Sequence, residues 1–263
     1  MMRVAVQGVG LYSSGLPNWQ AAAPVLRGEH PWRDEPTPVV TLPLRSAARR
    51  RTSACARAAW AATEQALANT DLNVGELNTV FASSGGDGAI LHQLCSALAT
   101  PERAVSPTQF HNSVHNAPAA YFSIAHASHA ASTSLCHHAA PFAAGLLEAA
   151  VQVSSENRPV LLVSFDLIAP FPLAPFWPAQ RDFAVALLLA PPTAAHALAH
   201  WRITPVPAAP VAQPATDTWL AQFALANPVA ESLHLLSALA SATPVRHRLP
   251  YLDTLSLEVE CRV

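Results

Sequence analysis

The chain has 263 residues, 51% of them hydrophobic and only 12% charged, with a formal charge of −2 and a pI near 6.6. That is enough apolar side chain for a real core in one large or two small domains, and the near-neutral balance favours neither nucleic acid nor an acidic membrane surface as a partner. All 15 Lys+Arg residues are arginine, which excludes Schiff-base chemistry, a P-loop lysine and any mechanism with a lysine base. In chain order, Val4 to Val9 reads as a strand entering a Gly/Ser turn, and Asn18 to Arg27 as a short helix capped by Asn18. Pro31 to Pro43 is proline-rich and irregular. The Arg49 to Arg51 run reads as a solvated helix start, and Ser53 to Ala68 as a helix with Ala56, Ala59, Trp60, Thr63 and Leu67 on one face. Thr79 to Ser83 is a strand that runs into "SSGGDG". These glycines suggest a phosphate loop, but the string lacks GxGxxG spacing and places an acid where a phosphate would sit. It therefore reads as a strand-to-helix turn, with a helix from about Ala89 to Leu98.

"SPTQFHNSVHNAPAAYFSIA" follows, with Pro107 and Pro118 bracketing His111-Asn112 and His115-Asn116. Polar groups this dense need partners if they are buried, and a helix from Asn116 to Ile124, capped by Asn116, is expected. Ala130 to Ser134 then reads as a strand of small residues and Ala139 to Val153 as a helix. Val160 to Phe165 is a continuous apolar strand of a buried sheet, and "DFAVALLLA" is another. Pro191 to Pro214 mixes apolar residues with proline around a strand at Ala199 to Thr204. Two helices (Thr218 to Ala226 and Pro228 to Ala240) and a strand at Leu255 to Cys261 complete an alternating α/β pattern. The four cysteines form no CxxC pair, the start lacks a long apolar leader, and no apolar run reaches membrane-spanning length. A reduced cytoplasmic protein is expected, with an apolar patch covered by a partner.

Cys136, His137 and His138 stand where the small-residue strand meets its helix, the place where α/β enzymes hold a nucleophile. A helix N-terminus lowers a thiol pKa, but a working cysteine also needs a base nearby. His137 and His138 are its immediate neighbours in sequence and point in different directions; His111 and His115 could reach it only by tertiary contact. A metal reading also arises, since His111, His115, His126, His129, His137 and His138 cluster here and His111-x3-His115 has helical ligand spacing. The stretch offers no acid and no second thiolate, so no metal is assigned to it.

Taken in order, "RRRTSACARAAWAATEQAL", "FASSGGDG", "SPTQFHNSVHNAPAAYFSIA", "ASTS…AAGLLEAA" and "PVLLVSFD" resemble the N-terminal half of β-ketoacyl synthases. "HNSVHNAP" followed by "GLLEA" is most similar to the short chain length factors of aryl polyene biosynthesis. The resemblance covers about Val4 to Ala190. It implies an α/β, thiolase-like fold, truncated and with a reduced or atypical second half: residues 1–190 as the ketosynthase N-terminal-like domain and 191–263 as an extension completing the core. Active members of the family add two histidines, in HGT and GHxxxA motifs, and a lysine; this chain contains none of these. They also carry a glycine eight positions after the nucleophile. Counting back from Gly145 reaches His137, so Cys136 is displaced by one residue, about 100° on a helix.

The resemblance therefore implies a non-catalytic chain length factor with a degenerate elbow at Ser134, Cys136, His137 and His138, Cys136 being a buried, inert thiol. Its partner would be a full-length ketosynthase, joined as a heterodimer through the Ala130 to Ser134 strand. Thr108, Gln109, Phe110, Tyr121 and Phe122 would face the partner's acyl tunnel, and His111, Asn112, His115 and Asn116 would form a hydrogen-bond network fixing that loop. The condensation would take place on the partner. The chain itself would hold no cofactor, the substrate arriving on the phosphopantetheine of an acyl carrier protein. The alternative is a self-sufficient acyltransferase or thioesterase that uses Cys136.

Overall fold

The two continuous apolar runs become neighbouring strands at the middle of one sheet. The computed structural model describes residues 1–37, 40, 42–208 and 218–263. In chain order the elements are β1 (Met2–Ser13), α1 (Trp19–Leu26), α2 (Ser46–Arg49), α3 (Ala54–Leu67), β2 (Asn78–Ser83), α4 (Gly88–Leu98), α5 (Pro107–Asn112), α6 (Ala117–His126), β3 (Ser132–Cys136), α7 (Pro141–Glu156), β4 (Val160–Asp166), β5 (Phe183–Ala190), β6 (Ala199–Pro207), α8 (Trp219–Ala226), α9 (Ser232–Ala240), β7 (Val245–Leu252) and β8 (Leu255–Arg262). The strand order is β3-β2-β4-β5-β1-β6-β8-β7. β2 runs parallel to β3 and β4, and the other pairings are antiparallel.

Every residue of β4 and β5 is buried because both faces of the sheet are covered. Strand alternation divides them between two cores. Val160, Leu162, Phe183, Val185, Leu187 and Leu189 join the core that includes Phe142 and Leu146 of α7 and Leu233 and Leu236 of α9. Leu161, Val163, Phe165, Ala184, Ala186 and Leu188 join the opposite core with Trp60 of α3 and Phe122 of α6. Helix α3 lies close on β1 because β1 presents glycine to it. A Cβ at Gly8 would stand 1.9 Å from the Ala66 carbonyl oxygen, and one at Gly10 would stand 2.0 Å from that of Ala62.

The helix starts follow local capping chemistry. Asn18 and Ser53 cap α1 and α3 by accepting from the Ala21 and Ala56 N–H groups. At the glycine turn, Asp87 Oδ1 accepts from the Ala89 N–H at 3.1 Å and the Ile90 N–H at 3.0 Å. The acid in "GGDG" is thus the N-cap of α4. Asp87→Ala is expected to destabilise the chain by about 1 kcal/mol, with no change in fold, as read by urea unfolding followed by circular dichroism.

Several expectations differ from the structure. Asn116 precedes α6 but makes no capping bond, its backbone standing at φ −87°, ψ 4° rather than in the extended region where a cap side chain folds back. Helix α5 was not expected; Ser106 caps it and Pro107 starts it. The small-residue strand is Ser132–Cys136 rather than Ala130 to Ser134, because its ladder with β2 pairs Ser132 with Thr79 and Cys136 with Ser83. β7 was also missed: its Arg-His-Arg-Leu-Pro sequence resembles a loop, but at a sheet edge charged residues and a proline are tolerated. Residues 38, 39 and 41 of the irregular Pro31 to Pro43 stretch, and 209–214 of the later proline-rich one, lie outside the described residues.

Candidate active-site elbow

Parallel pairing of β2, β3 and β4 gathers their C-terminal ends, the side of an α/β sheet on which ligand sites form. Ser83, Cys136 and Asp166 are the final residues of these strands. Cys136 Sγ lies 3.6 Å from Ser83 Oγ, which also accepts from the Gly86 N–H at 3.0 Å. The His137 N–H donates to the Ser83 carbonyl at 3.0 Å, and the Ala140 N–H to the His137 carbonyl at 3.0 Å, closing a tight turn. Helix α7 starts only at Pro141, so its free N–H groups belong to residues beyond the elbow and not to Cys136.

The thiol is exposed, contrary to the expected buried one, because β3 is an edge strand with no strand on its outer side among the described residues. It makes no hydrogen bond to an imidazole among the described residues. The His137 ring instead packs on Tyr251 of β7, ring centroids 5.3 Å apart, with its Nδ1 buried and unpartnered. His138 is exposed and Ser134 half-buried. The elbow therefore has a nucleophile's position, with no imidazole hydrogen-bonded to its thiol among the described residues.

The loop residues separate into two groups. Tyr121 and Phe122, expected to face the partner's tunnel, are buried in the α3-side core. Pro118, Tyr121, Phe122 and Ala125 recur at helical spacing, and this stripe of α6 packs inward. The Phe122 ring lies 6.5 Å from Trp60, 6.0 Å from Phe81 and 4.6 Å from His126; burial holds His126 below the usual imidazole range. Phe110 is 68% exposed on α5. Thr108 and Gln109 beside it are partly exposed, and the Gln109 amide donates to Gln93 Oε1 at 2.8 Å.

The expected four-residue network reduces to one member. Asn112 is buried; its Nδ2 donates to the Arg51 carbonyl at 2.6 Å and its Oδ1 accepts from the Tyr121 hydroxyl at 2.9 Å. His111, His115 and Asn116 are exposed, and their side chains make no hydrogen bond among the described residues. Of the four, only position 112 lies on the inward side of the α5–α6 corner.

The model for the β-ketoacyl synthase N-terminal domain matches residues 19–247. The chain belongs to that family. The match runs well past Ala190, where the recognisable strings end, and it takes in β6, α8 and α9, which extend the same sheet and the same core. No curated protein matches the sequence. Among solved structures, a chain in the complex of ketosynthase ApeO with its chain length factor ApeC from Xenorhabdus doucetiae superposes with a TM-score of 0.75 at 20% identity, covering 99% of this chain and 100% of that one. A chain in the AntDE:AntF complex, a type II polyketide synthase acyl-carrier protein with its ketosynthase bound to the hexaketide, gives 0.75 at 12%, covering 99% of each. A β-ketoacyl synthase from Burkholderia phymatum gives 0.60 at 14%, covering 86% of this chain and 70% of that one. The shared fold is the thiolase-like ketosynthase fold.

Within this ketosynthase-family fold, the glycine turn after β2 has a packing role. A Cβ on Gly88 would meet Ala169 at 2.8 Å and the Trp177 ring at 3.0 Å, so the aromatic loop after β4 sits directly on the turn. Next to it the sequence reading missed a buried polar pair. Asp166 is fully buried; its Oδ1 accepts from the Ser84 N–H at 2.9 Å and its Oδ2 from the Ser84 hydroxyl at 2.6 Å. Burial outweighs both hydrogen bonds and pushes the carboxyl up to about 7. The signal was present in the sequence, as an acid closing the wholly apolar strand "PVLLVSFD". Nearby Cys55 is also buried, and burial raises its thiol well above the ordinary range.

Proposed function

We propose that this ketosynthase-family chain is a non-catalytic chain length factor that heterodimerises with a full-length β-ketoacyl-ACP synthase and shapes its acyl tunnel. The setting is aryl-polyene-type biosynthesis, chemistry akin to polyketide and fatty-acid assembly. One observation carries this reading: Cys136 stands at the elbow of an unpaired edge strand with no imidazole bonded to it. A working condensing enzyme needs the base, and an open edge invites a partner strand. The end-to-end likeness to chains of ketosynthase complexes supports it.

The partner would carry the reactive cysteine and perform the decarboxylative Claisen condensation. Substrate would arrive on the phosphopantetheine of an acyl carrier protein, with no cofactor held here. Thr108, Gln109 and exposed Phe110 would close the end of the partner's tunnel. Phe171 and Phe176, 79% and 82% exposed on the loop after β4, would form part of the covered apolar surface. In this proposal, residues 1–190 supply the interface, residues 191–263 complete the core, and the assembly works in the cytoplasm. No helix among the described residues is long and apolar enough to cross a membrane.

The test is co-expression with a cognate ketosynthase followed by size-exclusion chromatography with light scattering and acyl-thioester labelling. A heterodimer acylated only on the partner, with Cys136→Ala leaving product formation unchanged, is expected. A monomer that ignores the ketosynthase, or acyl mass on Cys136 that Cys136→Ala removes together with activity, would overturn the proposal.

A further inference from the structure

At the edge of the sheet opposite β3, three side chains converge that the elbow does not use. Glu231 ends the 3-10 turn Pro228–Glu231, and His234 follows three residues later in the first turn of α9, so the two share a face. His247 projects from β7, which packs against α9. One carboxylate oxygen of Glu231 and one nitrogen from each imidazole all lie within 4.8 Å of one another. Glu231 Oε2 and His247 Nε2 are 3.9 Å apart, too far for a hydrogen bond, and that Nε2 is buried without a partner. The two imidazoles stack at 4.6 Å between centroids, 26° from parallel.

We infer that Glu231, His234 and His247 bind a divalent transition metal ion of the zinc class. The separations are near those of such a site: bonds of about 2.0–2.2 Å place tetrahedral ligand atoms roughly 3.4 Å apart, so small side-chain rotations suffice. Two imidazole nitrogens with one carboxylate oxygen suit zinc, whereas calcium and magnesium prefer an all-oxygen shell. The surrounding charges do not oppose a cation. Arg246 and Arg248 flank His247 in sequence, but strand alternation turns them to the other face. There they pair with Glu258 and Glu260 of β8. Glu231 also borders a hollow of about 210 Å³ lined by Ala140, Ala143, Leu249 and Pro250. Bound metal would clamp the β7–β8 hairpin to the start of α9.

The experiment uses the purified full-length chain alone, stripped with a chelator and titrated with zinc chloride near neutral pH. Calorimetry, bound-metal analysis and thermal unfolding are read together. A single equivalent of zinc that raises the melting temperature is expected. His234→Ala and His247→Gln should each weaken binding by about 100-fold and abolish the thermal shift while retaining the native circular dichroism. His129→Ala and His138→Ala, in the other histidine cluster, should change neither. Cobalt(II) in place of zinc should give the intense visible absorption of a tetrahedral site. Failure to bind zinc, or binding that survives in both His234→Ala and His247→Gln, would overturn the inference. Because no ketosynthase is present, neither outcome bears on the heterodimer.

Discussion

Ser134→Pro is expected to abolish recovery of the chain with a co-expressed ketosynthase while leaving its own fold intact. The reason lies in the direction of peptide groups along β3. The Ala131 carbonyl accepts from the Thr79 N–H, and the His137 N–H donates to the Ser83 carbonyl. Residues 131, 133, 135 and 137 thus turn their peptide groups towards β2, and strand alternation turns those of Ser132, Ser134 and Cys136 to the open edge. Proline at 134 removes an outward N–H that β2 does not use, which an edge strand tolerates. It also places a ring where a partner strand would lie and leaves the partner's carbonyl unpaired. Losing that bond and seating the ring together cost about 3 kcal/mol, or about 100-fold in affinity. Thr133→Pro, one residue earlier, provides the control: its N–H faces β2, so it should lower the stability of the isolated chain. Pull-down from co-expressing cells, with thermal unfolding of each variant alone, separates the two effects. Undiminished co-purification of Ser134→Pro would show that β3 does not carry the interface.

This register could not be read from the sequence, although much of the framework could. β4 and β5 were legible because strands buried on both faces need unbroken apolar runs. α1 and α3 were legible because Asn18 and Ser53 satisfy helix N–H groups that would otherwise be orphaned. β7 was not, since an edge strand needs no such pattern and alternates arginine with half-buried residues. At the site, the family resemblance located the elbow, but it also assigned Tyr121 and Phe122 to a tunnel. Their helical period with Pro118 and Ala125 is a local signal of burial, and the structure places that stripe in the core. Exposure of Cys136 depends on which strand ends the sheet, and the approach of His247 to Glu231 depends on how β7 folds back. Both are tertiary facts with no local trace.

Asp166→Asn is expected to stabilise the chain increasingly as pH rises, because the buried carboxyl titrates near neutrality. Folding lifts Asp166 from the ordinary carboxylate range to about 7, so the folded state holds a proton that the unfolded chain has released. The wild-type contribution is therefore most favourable below about pH 4, declines between there and about pH 7, and is flat above. Asparagine cannot ionise, and it preserves the geometry. Its Oδ1 can accept from the Ser84 N–H as Asp166 Oδ1 does, and its Nδ2 can donate to the Ser84 hydroxyl, keeping that contact with the direction reversed. The stability gap between variant and wild type should widen by about 3 kcal/mol from about pH 5 to about pH 8, several degrees in Tm. Taking the difference between the two proteins cancels the titration of every other group. Ser84 and Asp166 tie the ends of β2 and β4, and the main-chain carbonyl of Asp166 separately accepts from Asn227 Nδ2 at 3.1 Å, so residue 166 also holds the segment between α8 and α9. Ionisation would therefore loosen the floor beneath the elbow first, and hydrogen exchange in wild type at high pH should rise at β2 and β4 before it rises at β6 and β8. A gap that stays constant across this pH range would show that the carboxyl is ionised inside the fold, and that the two Ser84 bonds, rather than burial, set its state.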